Sequence, residues 1–171
     1  MNETPKLFTL EEPHVIDRNF KEAKSRFWEL AKSRVKLASQ EEHEAFHKEH
    51  CPDNEVPTDA IFILQKGISE NSDDPEKAVL GLEININKDF FGEVYADLIP
   101  YVVEHEIYEA WLHSKRGYNP TNKEHALARR RQIKMAMRDG KAERLVKFFS
   151  EKLPSLKEEF EDAYQRIREK E

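Results

Sequence analysis

The sequence has almost no cysteine, because Cys51 is the single one among its 171 residues. One cysteine excludes an intrachain disulfide and a cysteine-rich zinc cluster. Long apolar runs are also missing, and the longest is far shorter than a membrane span. The first residues, MNETPKLFTLEEP, contain neither the basic region nor the apolar region of a signal peptide. We therefore expect a cytoplasmic protein without membrane helices.

An excess of basic charge is absent as well. The formal net charge is −6, which argues against nucleic acid or an anionic membrane as the main partner. Aromatic residues are frequent, with ten Phe, five Tyr and two Trp, and this content predicts a folded chain. A chain of this length can bury a real core, so we expect residues 1–171 to form a single domain. The sequence does not specify an oligomeric state.

Hydrophobic periodicity and capping signals predict a mostly helical chain with two strands. The predicted helices cover residues 17–38, 39–50, 96–115, 121–138 and 141–150, and a last one follows Pro154. Two apolar segments of strand length, 60–67 and 78–87, are expected to pair as an antiparallel hairpin. This order predicts an α+β fold in which helices predominate and pack with a small antiparallel sheet.

Two stretches of the chain place His and Glu at the spacing of a metal-binding helix. Residues 43–47 read HEAFH, which matches the zinc-protease pattern H-E-x-x-H, and residues 105–109 read HEIYE. Charged residues flank HEAFH on both sides, so we interpret it as a solvated helix surface and a chance match. With His50 and Cys51 close by, a surface zinc or nickel site is the alternative there.

HEIYE lies in an apolar environment and carries a family resemblance. The segment VVEHEIYEAW (102–111) resembles the extended pattern of the zincin-like metallopeptidases at every position except one, where Glu109 replaces the second histidine. The order of strand, strand, metal helix and further helix also resembles the minimal zincin core. This resemblance covers about residues 60–138. A helical N-terminal extension (16–50) and C-terminal helices (141–170) lie outside it.

The resemblance implies a metal site with ligands from two helices. His105 and Glu109 would be the first two ligands, because side chains four residues apart share one helix face. The third would come from downstream, and we prefer His125, with Glu124 and His113 as alternates. The expected metal is Zn²⁺. Since glutamate adds negative charge, Mn²⁺ and Fe²⁺ are favoured more than they would be by a histidine pair.

The same resemblance implies a hydrolase that acts on a peptide or protein. Glu106 would be the general base that takes a proton from the water activated by the metal. Glu109 would weaken the Lewis acidity of the ion, so a catalytically weakened descendant is also compatible. Tyr108 or Tyr118 would donate a hydrogen bond to an oxyanion, and residues 84–87 (ININ) would present a strand edge to an extended peptide.

Two other functions are compatible with the sequence. A non-enzymatic interaction or regulatory protein would use its charged outer helices, with no functional metal site. A nucleic-acid regulator would use Arg129–Arg131, although consecutive helical residues point in different directions and do not form one basic stripe. We interpret this run as solvated arginines, and alternatively as one in which Arg130 or Arg131 neutralises carboxylates near a metal.

Overall fold

The computed structural model describes residues 18–53, 55, 57–64, 74–114 and 122–170, apart from the side chains of 18–21 and 122–124. Within these residues the chain is mostly helical and has one small sheet, so the predicted α+β class is confirmed. The elements are α1 (Arg18–Lys32), β1 (Val35–Ala38), α2 (Gln40–His50), β2 (Ala60–Leu64), α3 (Pro75–Leu80), β3 (Leu82–Asn87), α4 (Lys88–Phe91), a 3-10 turn (Ala96–Leu98), α5 (Ile99–His113), α6 (Asn122–Arg138), α7 (Ala142–Lys152), a second 3-10 turn (Pro154–Leu156) and α8 (Lys157–Lys170).

The sheet has β3 in its centre. β2 pairs with β3 antiparallel, with Ala60 opposite Ile86, as predicted. β1 pairs with β3 in parallel, with Val35 opposite Ile84, so the sheet is mixed rather than purely antiparallel. The predicted helix to residue 38 is therefore wrong beyond Lys32, because pairing with β3 determines the conformation of this short segment.

Two further expectations about β3 need correction. The predicted strand 78–87 begins later, because α3 ends at Leu80. Asp74 caps α3 by accepting a hydrogen bond from the Glu76 N–H, and a proline follows the cap, which is a typical helix start. Residues 84–87 present no free edge, since β1 and β2 flank them on both sides. Within the described sheet, β2 lies at an edge and adjoins the candidate site.

The core is built around α5, most of whose side chains are buried. One cluster of buried apolar residues extends from Phe27 in α1 to Ile167 in α8, and it includes Trp111 of α5 and Ile84 of β3. On the opposite face of β3, Glu83 is exposed, whereas Asn85 and Asn87 are buried and contact His43 and Gln40 of α2. A helix that combines the length and apolarity needed to cross a membrane does not occur among the described residues.

Candidate metal centre

HEIYE lies in the middle of α5, where the apolar residues around it hold the helix in the core. His105 and Glu109 project from the same face, and His105 Nε2 lies 3.4 Å from Glu109 Oε1. Only 4% of the His105 side chain and 14% of the Glu109 side chain are exposed. Since both donors are fixed by a packed helix, their separation is determined by the fold and not by flexible side chains.

Helix α6 brings the third predicted ligand to the same place. His125 Nδ1 lies 2.6 Å from Glu109 Oε1, and the rings of His105 and His125 are 4.9 Å apart in an edge-to-face arrangement. One donor atom from each of these three residues lies within 4.8 Å of the others. His105, Glu109 and His125 could therefore hold a metal ion.

The alternates for the third ligand have different outcomes. The ring of His113 packs against Phe62 at 5.2 Å between centroids, and His113 does not belong to the donor group. The side chain of Glu124 lies outside the described residues. His125 is thus the candidate that the described structure places beside His105 and Glu109.

The chemistry of the donor group fits a divalent metal. Two imidazoles and one carboxylate are the protein ligands of many catalytic zinc sites, and non-haem iron sites use the same set. The remaining ring nitrogen of His105, Nδ1, is buried and has no hydrogen-bond partner among the described residues. Metal-binding histidines usually donate that second N–H to an acceptor, so we expect His105 to be a less strongly oriented ligand than usual.

Burial and neighbouring charges shift the pKa values of His105, Glu109 and His125. Burial and the nearby charge of Arg129 lower the pKa of His105 to about 4. Hydrogen bonds to Glu109 and Glu159 raise the pKa of His125 to about 9. Burial alone would raise the pKa of Glu109, but the hydrogen bonds from the two histidines lower it well below its usual value. Glu109 is therefore ionised and ready to bind a cation.

Glu106 faces a cavity of about 290 Å³ beside the donor group. The cavity is lined by Pro57, Asp59, Ala60, Ile61, Phe62, Val102, His105, Glu106, Glu109, His125, Arg129, Gln132 and Leu156. Burial raises the pKa of Glu106 well above its usual value, and the charges of Glu109 and Asp59 raise it further. A carboxylate with a raised pKa holds a proton more readily, which is the property of a general base or acid.

Three polar residues of the cavity wall, Asp59, Arg129 and Gln132, were not anticipated as part of the site. Asp59 stands directly before β2, and burial raises its pKa. Arg129 is buried and binds Gln132 Oε1 at 2.6 Å through Nη1, so its interpretation as a solvated arginine is wrong. Three consecutive helical residues spread over about 200° of the circumference, so one of the arginines can face inwards, but the sequence does not tell which one.

The other two arginines do not reach this cavity. Arg131 donates to Glu104 Oε1 at 2.6 Å, and its guanidinium lies 4.9 Å from the Trp28 ring. Arg130 is exposed. The residue of this run that lies near the metal-type donors is therefore Arg129, and the prediction of Arg130 or Arg131 was wrong.

The predicted oxyanion donors are not supported by the described structure. Tyr108 is buried against Trp28, with 5.9 Å between ring centroids, and it does not line the cavity. Tyr118 lies outside the described residues. Tyr108 instead packs among apolar and cationic side chains, because Lys24 and Arg131 both lie over its ring.

The two histidines of HEAFH are buried, which contradicts its interpretation as a solvated surface, although Glu44 and Ala45 between them are exposed. His43 is fully buried and His47 is 3% exposed. The ring of His43 contacts Asn85 Oδ1 at 2.6 Å and the Pro57 carbonyl oxygen at 2.7 Å. His43 thus connects α2 to β3 and to the segment before β2. Within the described residues, the donor group of α5 and α6 is the one cluster of metal-type ligands.

Together these features define a class: an α+β protein with a candidate two-histidine, one-carboxylate metal centre between two helices. The chain matches no known family model, and comparisons with curated proteins and with solved structures found no match. The geometry of the site is accordingly the basis for the proposals below.

Proposed function

We propose that this protein is a metal-dependent hydrolase that acts on peptide-like bonds, with zinc held by His105, Glu109 and His125. The observation that carries the proposal is the approach of these three donors to within 4.8 Å, at the wall of a cavity that Glu106 also lines. The resemblance of HEIYE to the zincin-like pattern gives it further support. The same resemblance suggests a peptide or protein as substrate.

The residues of the chain have separate roles in this proposal. A bound divalent ion supplies Lewis acidity, which polarises a substrate carbonyl and makes water more acidic. Glu106 takes the proton from the attacking water and passes it to the leaving group, a role for which its raised pKa is suited. The buried guanidinium of Arg129 compensates part of the negative charge of the cavity.

Zinc is our first choice among the metals because His and Glu ligands beside a buried carboxylate base are typical of zinc hydrolases. Mn²⁺ and Fe²⁺ are the alternatives, since carboxylate ligands suit harder ions. Binding must displace the proton that His125 shares with Glu109. We therefore expect the affinity for any of the three ions to fall as the pH is lowered, because a protonated Nδ1 of His125 cannot bind an ion.

The test is the metal content of the tag-free protein, measured by elemental analysis after reconstitution with Zn²⁺, Mn²⁺ or Fe²⁺. We expect about one ion per chain in the wild type, and near-complete loss in His105→Ala and Glu109→Ala. His113→Ala is the matched control, because it lies on the same helix outside the donor group. A wild-type chain that binds none of the three ions would refute the proposal.

A second candidate function is a non-enzymatic interaction protein in which these residues are a structural ion-pair network. The observation that favours it is that His125 already pairs with Glu109 at 2.6 Å and with Glu159 at 3.2 Å. Such a network would connect α5, α6 and α8 without any ion. It predicts that Glu109→Ala lowers stability while the metal content of the wild type is already zero.

A further inference from the structure

We propose that Glu159, on the C-terminal helix α8, is a positioning residue of the metal centre that makes His125 bind the ion through Nδ1. This inference rests on the metal centre proposed above. The two ring nitrogens of His125 lie beside different carboxylates. Nδ1 lies 2.6 Å from Glu109 Oε1, and Nε2 lies 3.2 Å from Glu159 Oε1. Both neighbours are carboxylate oxygens, which accept hydrogen bonds and cannot donate them when ionised.

Only one nitrogen of a metal-bound imidazole carries a hydrogen. Since Nδ1 lies beside Glu109 and close to His105, it is the nitrogen that shares the metal position. Nε2 then keeps its hydrogen and donates it to Glu159. A carboxylate that accepts this hydrogen fixes the orientation of the ring and increases the basicity of the ligating nitrogen.

Arg129 holds Glu159 in this position. Its Nε donates to Glu159 Oε1 at 3.0 Å, and only 6% of the Arg129 side chain is exposed. Arg129 Nη2 also lies 3.2 Å from His125 Nε2, and this contact would be a hydrogen bond only if Nε2 were bare. A bare Nε2 would place a lone pair against the Glu159 carboxylate, so the arrangement with hydrogen on Nε2 is the one that satisfies the carboxylate.

The core fixes the backbone beside Glu159. Phe160 is fully buried and stacks on Phe149 of α7, with 4.7 Å between the ring centroids. The Arg129 guanidinium also lies over the Phe160 ring, 4.1 Å from its centroid. Because Phe160 is fixed by this packing, Glu159 is held beside His125 and is not free to move with a loose helix. The site thus extends into a helix outside the zincin-like segment.

The first experiment measures the Zn²⁺ dissociation constant by competition with a chelating dye. We expect Glu159→Ala to bind Zn²⁺ about 10–100-fold more weakly than the wild type. Glu159→Gln keeps an oxygen that accepts the Nε2 hydrogen, so its affinity should stay within about threefold. Glu161→Ala is the matched control, because Glu161 lies on the same helix, is half exposed and pairs weakly with Lys157 at 4.0 Å.

The thermal unfolding of each metal-free variant is recorded alongside, so that a lost fold is not mistaken for a lost ligand. A purely structural Glu159 would lower the melting temperature without changing the dissociation constant, and equal affinities for the wild type and Glu159→Ala would overturn the inference. A wild type that binds no Zn²⁺ would overturn it together with the proposed function.

The second experiment needs no Glu159 variant. Ring nitrogens of ¹⁵N-histidine-labelled wild-type protein are observed by NMR after loading with Zn²⁺, and His125→Asn identifies the signals of His125. We expect hydrogen on Nε2 and metal on Nδ1. The reverse pattern, with metal on Nε2, would overturn the assignment even if Glu159→Ala weakens binding.

Discussion

HEAFH in α2 and HEIYE in α5 have the same helical spacing and buried histidines, but their surroundings differ. His43 of HEAFH meets an amide oxygen of Asn85 and a main-chain carbonyl oxygen of Pro57. His105 of HEIYE meets the carboxylate of Glu109 and the ring of His125. The partners of His43 are two uncharged oxygens, whereas His105 lies beside a carboxylate, which attracts a cation.

The comparison teaches that the spacing of two ligands on one helix does not define a metal site. The third donor comes from another element, and among the described residues α5, unlike α2, has a neighbouring helix that supplies one. HEAFH matches the zinc pattern better but faces β3, whose Asn85 and Asn87 are buried beneath α2. Surroundings therefore distinguish the two stretches, and each prediction below tests one consequence of that difference.

The largest expected difference concerns the glutamate in the second position of each stretch. Glu106→Gln should lower peptide cleavage about 100- to 10,000-fold, because it removes a general base while keeping the size of the side chain. Glu44→Gln should leave cleavage unchanged, since Glu44 is exposed and binds Gln40 on the surface of α2. Cleavage is measured on a peptide mixture by mass spectrometry with zinc-loaded protein.

The metal content of both variants is determined in the same preparations. Glu106→Gln should keep its zinc, because Glu106 is not part of the donor group. Equal cleavage by Glu106→Gln and the wild type would remove Glu106 from the mechanism. The absence of any cleavage by the zinc-loaded wild type would contradict the hydrolase proposal, while leaving the metal centre itself to the metal analysis.

The second prediction concerns stability. His43→Ala should reduce the free energy of unfolding by about 2–4 kcal/mol, because it leaves a void and two unpaired acceptors in the core. His50→Ala, on the same helix but partly exposed, should change it by less than about 0.5 kcal/mol. Urea unfolding of metal-free protein measures both. Zinc bound per folded chain should be unchanged in His43→Ala, and its loss there would show that HEAFH contributes to the metal site.

Local patterns predicted most of the described helices and two of the three strands of the described sheet. The capping box at Ser39 and the apolar face of α5 are both present, and β2 and β3 pair antiparallel as expected. β1 was missed because its four residues follow directly after a helix and become a strand only through pairing with β3. Such pairing joins segments that are distant in sequence, so local propensity alone does not predict it.

Part of the candidate site could also be predicted from local patterns. His105 and Glu109 are related by helical spacing, and His125 lies on the next helix, α6. Glu159 and Asp59 approach the site only through the packing of α8 and the segment before β2. The rotation of α6 about its axis determines that Arg129 faces inwards, and this rotation depends on contacts with α5 and α8.

The smallest expected effect distinguishes the two histidines of the candidate centre in metal-free protein. The pKa of His125 is raised to about 9 from the ordinary 6.5, so its ion pairs stabilise the fold fully below about pH 6.5 and are lost as the pH rises through 9. The pKa of His105 is lowered to about 4, so its contribution is present above pH 6.5 and is lost as the pH falls towards 4.

Urea unfolding between pH 5 and 9 tests the direction in which the contribution of His125 to stability changes with pH. The difference in unfolding free energy between the wild type and His125→Gln should shrink above pH 6.5, by about 1 kcal/mol or less, because 47% of the His125 side chain is exposed and solvent screens its charges. Taking this difference removes the titration of groups on which the charge of His125 does not act, such as Lys24. His50→Gln, from the helix of HEAFH, is the control, because His50 lies outside the donor group and its ring is 3.8 Å from the exposed Glu83. A difference that stays constant across this range would mean that His125 does not carry the charge that pairs with Glu109, and the contrast between the two stretches would then rest on geometry alone.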